Sequence, residues 1–120
     1  MNKLDREVGG KVIALFAAQK DGKTILRAVR EDGVVFAPFF GEWRAKWKVK
    51  EEVSPHEYVE HVRQAADFFL PLKASDVPDW EVLEEWLEEG IAESIDGCSV
   101  ELDGHCPHGW PSWPLVMGLI

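Results

Sequence analysis

The stretch KVIALFAAQKDGKTILRAVREDGVVFAPFF, residues 11–40, decides the fold that we predict. Three apolar runs alternate with Asp-Gly pairs at 21–22 and 32–33, and Asp-Gly favours the positive φ angles of a hairpin turn. The first run, 11–19, shows no sustained alternation, which is typical of a strand covered on both faces. The stretch therefore predicts an antiparallel meander. Because Pro38 cannot donate to a β-ladder, it predicts an edge position or a bulge near the end of the third strand.

A fourth strand is predicted in WRAKWKVK, residues 43–50, because apolar and basic residues alternate there with a period of two. Basic side chains on an outer strand protect a sheet against edge-to-edge aggregation. The same row also fits an acidic surface, either the acidic helix described below, in this or a second chain, or a protein partner. A nucleic-acid surface is a third interpretation, which the net charge of −9 opposes. The candidate binding residues are Trp43, Arg44, Lys46, Trp47, Lys48 and Trp110.

Two amphipathic helices are predicted after the meander. Ser54 and Glu57 form a capping box, and the apolar stripe that follows runs from Tyr58 to Phe69 before Pro71 stops the helix. A second helix is predicted over 79–94, with one apolar face and one face rich in glutamate.

A short strand at 98–102 and a short terminal helix that begins near Pro111 complete the prediction. We therefore expect one α+β domain over residues 1–120. It contains an antiparallel meander of three to four strands, two amphipathic helices packed on one face and a short C-terminal helix.

Composition and charge limit the classes of protein that fit. The 120 residues are 46% hydrophobic and 29% charged, which is typical of a globular domain rather than a disordered chain. All 13 Lys and Arg residues lie within the first 73 positions, and the charged residues after Lys73 are acidic. No apolar run approaches the ~20 residues that span a bilayer, and the first ten residues do not form a secretory signal. We expect a cytoplasmic protein without a membrane partner, and reduced thiols at both cysteines.

The segment DGHCPHGWPSW, residues 103–113, raises the question of a metal site or a nucleophile. Zinc needs four ligands, and Cys98, His105, Cys106 and His108 supply that number. Their spacing does not match a C-x₂₋₄-C knuckle, and His105 is expected to point away. Cys106 assisted by His108 is the enzymatic alternative, but no second catalytic motif accompanies it. We therefore favour a rigid loop with Cys106 and His108 held by packing, and expect no cofactor, with zinc as the alternative.

The run DGHCPHGWPSWPLVMGLI, residues 103–120, resembles the closing signature of a family of small uncharacterised prokaryotic proteins. That signature is DG-x-C-x-HG-x-PSW followed by a short apolar tail. The matching residues are Asp103, Gly104, Cys106, His108, Gly109, Pro111, Ser112 and Trp113. GEWRAKWKVK, SPHEYVEHVRQAADFFLPL and PDWEVLEEWLEEG are similar to earlier parts of the same family, so the resemblance covers most of the chain. It implies a shared fold and no particular chemistry.

The function that the sequence favours is a small interaction module that binds a protein partner or a second copy of itself. The chain has six tryptophans, some of which are expected at the surface or in an interface. These indoles and the separation of basic from acidic residues along the chain support this hypothesis. A zinc-stabilised domain and a small cysteine-dependent enzyme are the alternatives, and the sequence favours a non-enzyme.

Overall fold

The computed structural model describes residues 2–120 of the chain. Its helices are α1 (Lys3–Val8), α2 (Pro55–Ala65), α3 (Trp80–Glu89) and α4 (Trp113–Val116), with a 3₁₀ turn at Ala74–Asp76. Its strands are β1 (Val12–Lys20), β2 (Lys23–Arg30), β3 (Val34–Phe39), β4 (Glu42–Lys48), β5 (Phe68–Leu72), β6 (Ile91–Glu93) and β7 (Ser99–Glu101). None of the helices within residues 2–120 is long and apolar enough to cross a membrane.

The predicted meander is confirmed. A five-stranded antiparallel sheet has the order β4-β3-β2-β1-β5. β1 and β2 pair from Val12 opposite Arg30 to Lys20 opposite Lys23. Asp21 and Gly22 connect them with φ angles of 52° and 78°. Two successive positive φ angles define the type I′ turn, which Asp-Gly favours because glycine has no Cβ to clash.

The fifth strand was not predicted. Phe68–Leu72 forms β5 beside β1, although the sequence pattern assigned Phe69 to the first amphipathic helix. The N–H of Asp67 donates to the carbonyl of Gln19 at 2.8 Å and so directs the chain onto the open edge of β1. An apolar run of five residues fits a helix stripe as well as a strand, and the free edge of β1 decides between them. Pro71 is tolerated because β5 is an edge strand.

Pro38 was predicted at an edge position or at a bulge near the end of the third strand, and the edge position is wrong. β3 lies between β2 and β4, and the two edges of the sheet are β4 and β5. Pro38 stands two residues beyond Phe36, the last β3 residue in register with β2. Its missing N–H therefore falls outside that ladder, which is how an inner strand accommodates it.

The structure divides into two compact units, one of residues up to 37 with 43–76 and one of residues 38–42 with 77–120. In the first unit, α2 lies against β1 and begins as predicted, with the Ser54 hydroxyl accepting from the N–H of Glu57. The core under this helix is built on the buried side chains of Phe16, Ala18, Val29 and Val35. Residues of β1 that point to the other face, such as Ala17, are also buried, as the unbroken apolar pattern predicts.

The second unit contains the other predicted helix. α3 ends at Glu89, and Gly90, whose φ of 79° is the left-handed conformation of a helix C-cap, follows it. The predicted continuation of this helix to residue 94 is wrong, because Ile91–Glu93 forms β6. α3 packs against β6 and α4, so the arrangement of both amphipathic helices on one face of the meander is not confirmed. The strand predicted at 98–102 is confirmed as β7, which pairs with β6. α1 was not predicted, because its six residues are too few to show a helical period.

Candidate metal centre

Two turns of the second unit have the same backbone geometry. In the first turn, residues 94–98, the N–H of Ser94 donates to the carbonyl of Cys98 at 2.8 Å, and the N–H of Gly97 donates to the carbonyl of Ser94 at 2.9 Å. Gly97 has a φ of 90°. This pattern describes a three-residue hairpin loop, in which a tight turn is followed by a glycine in the left-handed conformation. It connects β6 to β7.

The second turn, residues 106–110, repeats that pattern. The N–H of Cys106 donates to the carbonyl of Trp110 at 2.9 Å, and the N–H of Gly109 donates to the carbonyl of Cys106 at 2.9 Å. Gly109 has a φ of 88°. A glycine thus occupies the fourth position of both turns, where a side chain would be strained.

Each turn contributes two side chains to one cluster. Asp96 and Cys98 come from the first turn, and Cys106 and His108 come from the second. One ligand atom from each of these residues lies within 4.8 Å of the other three. Both sulfurs are 3.7 Å from Nδ1 of His108. The carboxylate of Asp96 is 2.9 Å from that nitrogen, 3.1 Å from Sγ of Cys106 and 3.9 Å from Sγ of Cys98.

These separations fit a tetrahedron around a zinc ion. Zinc binds sulfur at about 2.3 Å and nitrogen or oxygen at about 2.0 to 2.2 Å, so the tetrahedral edges are about 3.3 to 3.8 Å. With Oδ2 of Asp96 as its ligand atom, five of the six distances between the four groups are 2.9 to 3.9 Å and lie within about half an ångström of those edges. The sixth distance, between the two sulfurs, is no more than 4.8 Å. Two thiolates, an imidazole and a carboxylate are also the donor types that zinc accepts, whereas Mg²⁺ and Ca²⁺ prefer oxygen alone.

The electrostatics of the cluster favour a cation. Burial opposes the charge of Asp96, but hydrogen bonds from Ser94, Cys106 and His108 outweigh that effect and hold the pKa of the carboxyl below its ordinary value. Burial raises the pKa of the Cys98 thiol, and the neighbouring Asp96 carboxylate raises it further. The Asp96 carboxylate therefore carries a negative charge beside the two thiols, and ionising either thiol would bring like charges together. A divalent cation would offset that repulsion.

Buried serines and backbone hydrogen bonds hold the two turns in place. Ser94 and Ser112 are fully buried and form an isolated β-bridge, and the N–H of Ile95 donates to the carbonyl of Pro111 at 3.1 Å. The hydroxyl of Ser112 donates to the carbonyl of Leu102. These bonds connect the first turn to the residues on either side of the second turn, so the backbone itself holds the two turns face to face.

The structure brings three of the four predicted metal-binding residues together. Cys98, Cys106 and His108 belong to the cluster, whereas His105 is exposed and lies outside it. Asp96 takes the fourth place, and the sequence argument missed it. The signal that identifies it is the pair of tight spacings Asp96-x-Cys98 and Cys106-x-His108, each carried by its own turn. The spacing argument against zinc assumed a single knuckle and does not apply to two facing turns.

The burial and contacts of Cys106 also bear on the two other interpretations, a loop held by packing and a cysteine nucleophile. Cys106 is 5% exposed, as packing requires, but its sulfur contacts the polar atoms of Asp96 and His108. A thiol so buried does not present a nucleophile to a substrate. Cys98 is half-buried, and both cysteines are free thiols.

The candidate binding residues are only partly at the surface. Trp43 and Trp110 are buried, at 8% and 7% exposed. Arg44, Lys46 and Lys48 are exposed on β4, an edge strand. Trp47 is 43% exposed, and its ring packs edge-on against Tyr58 with the ring centres 6.3 Å apart.

Comparison of this chain with protein-family models, with curated proteins and with solved structures finds no match.

Proposed function

We propose that this chain is a zinc-stabilised domain whose metal is bound by Asp96, Cys98, Cys106 and His108. The observation that supports it is the convergence of four ligand atoms within 4.8 Å from two turns of the same hydrogen-bond pattern. Random proximity of polar groups would not require two turns of the same type to face each other. The zinc alternative is thereby preferred to packing alone.

The role of the metal is structural. Four protein ligands complete a tetrahedron and leave no position for a substrate or an activated water, which a catalytic zinc site keeps open. The ion would connect the β6–β7 turn to the loop that precedes α4. That loop contains little regular secondary structure, so ordering it costs conformational entropy. The free energy of metal binding would offset that cost.

Metal analysis of protein purified without a histidine tag tests this function. We expect close to one zinc per chain, released by a strong chelator. Asp96→Asn and Cys98→Ser should lower the zinc content, because each removes one ligand and changes the side-chain volume little. His105→Asn is the matched control, since it removes an exposed imidazole from the same loop but outside the cluster. Absence of bound metal, or an equal loss in His105→Asn, would contradict the proposal.

Cobalt substitution gives a second reading of the ligand set. Tetrahedral Co²⁺ with thiolate ligands absorbs through sulfur-to-metal charge transfer, and that absorption scales with the number of sulfurs bound. We expect Cys98→Ser to weaken it and Asp96→Asn to leave the sulfur contribution in place while lowering the affinity. Charge-transfer absorption that is unchanged in Cys98→Ser would exclude that thiolate from the site.

A second candidate function is the binding of an acidic protein surface along β4. It rests on the exposed basic row Arg44, Lys46 and Lys48 on an edge strand. A peptide of residues 79–93, the acidic segment of this chain, is the probe. Surface ion pairs contribute about 0 to 1 kcal/mol each, so binding should be weak and fall with salt.

Lys46→Glu with Lys48→Glu should abolish binding of that peptide at low salt. The charge-matched control is Lys11→Glu with Lys73→Glu, which reverses two exposed lysines away from β4. Unchanged binding in the β4 variant would leave the row as protection of a sheet edge.

A further inference from the structure

A cleft of about 420 Å³ lies between the β1–β2 hairpin and the C-terminal end of α2. Its floor is formed by Ala18 and Ile25, and its wall by Val62, Ala65 and Ala66. All of these are apolar, and the volume falls within the range of roughly 300 to 1,000 Å³ that is usual for small-molecule sites. The cleft belongs to the first unit and shares no residue with the metal cluster.

The cleft exists because small side chains replace large ones at its centre. Phe16 precedes Ala18 on the same face of β1, and its ring stacks on that of Phe69 with the ring centres 5.0 Å apart. Ala18 faces the same helix but contributes a single methyl group. Ala65 at the end of α2 and Ala66 directly after it also contribute one methyl group each, so the space between sheet and helix stays open at this end.

Two lysines stand at the end of the apolar floor. Lys20 pairs with Lys23 directly across the hairpin, one step beyond the Ala18–Ile25 pair on the same face. Like charges directly opposite each other destabilise a β-pair, and an anion between them reverses the sign of that interaction. Asp21 also lines the cleft, which leaves a charge of +1 for these three residues.

We propose that this cleft binds an aliphatic monocarboxylate, the anion of a medium-chain fatty acid. The chain of the ligand would lie over Ala18 and Ile25, and its carboxylate would accept hydrogen bonds from the ammonium groups of Lys20 and Lys23. An apolar floor with cationic side chains at one end complements an apolar chain with an anionic end. The site is independent of zinc and of β4.

Titration of the 120-residue chain with decanoate below its micelle concentration tests this proposal by amide NMR. We expect saturable shifts at Ala18, Ile25, Val62 and Ala65. Decyltrimethylammonium has a tail of the same length and the opposite charge, and it should bind at least about tenfold more weakly, because charge-assisted hydrogen bonds are lost. Equal binding of the two amphiphiles would overturn the assignment of the ligand as an anion.

Two variants separate the polar from the apolar part of the site. Lys20→Gln with Lys23→Gln should weaken decanoate binding about tenfold, whereas Lys11→Gln with Lys50→Gln, two exposed lysines elsewhere in the unit, should not. Ala65→Leu adds volume at an exposed helix position, which keeps the fold, and should block the cleft. Shifts that persist unchanged in Ala65→Leu, or that map outside the cleft, would refute the site.

Discussion

Replacing Cys106 by serine should remove most of the stabilisation that zinc would give at the proposed site. The substitution changes the volume little, and the serine hydroxyl can donate to the Asp96 carboxylate as the thiol does, so without zinc it should cost less than about 1.5 kcal/mol even though Cys106 is buried. A ligand that binds the folded state alone stabilises it by RT ln(1 + [L]/Kd), or about 2.7 kcal/mol at a free concentration of a hundred times Kd. For a chain of this length, that free energy corresponds to a rise in Tm of roughly 10 °C.

The variant should respond much less at the same free zinc concentration. If the loss of one thiolate raises Kd a hundredfold, [L]/Kd falls to about one and the stabilisation falls to about 0.4 kcal/mol. The difference, about 2.3 kcal/mol, exceeds what serine costs by itself in the absence of metal. The measurement therefore separates the metal contribution from the packing contribution.

Thermal unfolding in a zinc-buffered solution, compared with excess chelator, measures both contributions for wild type, Cys106→Ser and His105→Asn. His105→Asn should retain the full zinc-dependent rise in Tm, because that side chain lies outside the cluster. A Tm of the wild type that does not respond to zinc, or an equal response in Cys106→Ser, would refute the reasoning and favour a loop held by packing alone.

Three further predictions concern the fold. Trp113→Ala should lower the free energy of unfolding by about 3 to 5 kcal/mol, more than Cys106→Ser does without zinc, because this indole is 2% exposed; denaturant unfolding measures both, and the reverse order would contradict the packing of α4. The hydrogen bond from Arg30 lowers the pKa of Asp32 from 3.8 to about 2, so its contribution is complete above the unfolded pKa and is lost as the pH falls toward 2. In Asp32→Asn the free energy of unfolding should fall less steeply between about pH 4 and pH 2 than in the wild type. The difference should be less than about 1 kcal/mol, since the pair is exposed to solvent; plots of unfolding free energy against pH that are parallel for the two proteins would be evidence against the ion pair. Gly41→Ala should destabilise the β3–β4 turn by about 1 to 2 kcal/mol, because Gly41 has a φ of 82° and a Cβ there would come within 3.2 Å of Trp80 and Leu119; chemical denaturation that gives an unchanged stability would show that this turn relaxes.

Local chemistry in the sequence determined the first hairpin of the meander and the start of α2. A two-residue hairpin turn of type I′ requires positive φ angles at both positions, and Asp-Gly adopts them more readily than most residue pairs. Both angles are positive at 21–22 in the structure. Ser54 caps α2 through a bond to a residue three positions away. Such features act within a few residues, so they can be predicted without any tertiary contact.

Tertiary structure alone decided the fifth strand and the composition of the metal cluster. Phe68–Leu72 is a strand because the edge of β1 offers hydrogen bonds to it, and that edge is distant in the sequence. Asp96 joins Cys106 and His108 because two turns separated by a β-strand face each other, and the direction of a side chain out of a turn depends on how the turns pack. The sequence analysis named three of the four residues of the cluster because cysteine and histidine are rare and conspicuous. It missed the aspartate because one carboxylate among 22 acidic residues becomes distinctive only when folding brings two thiols and an imidazole beside it.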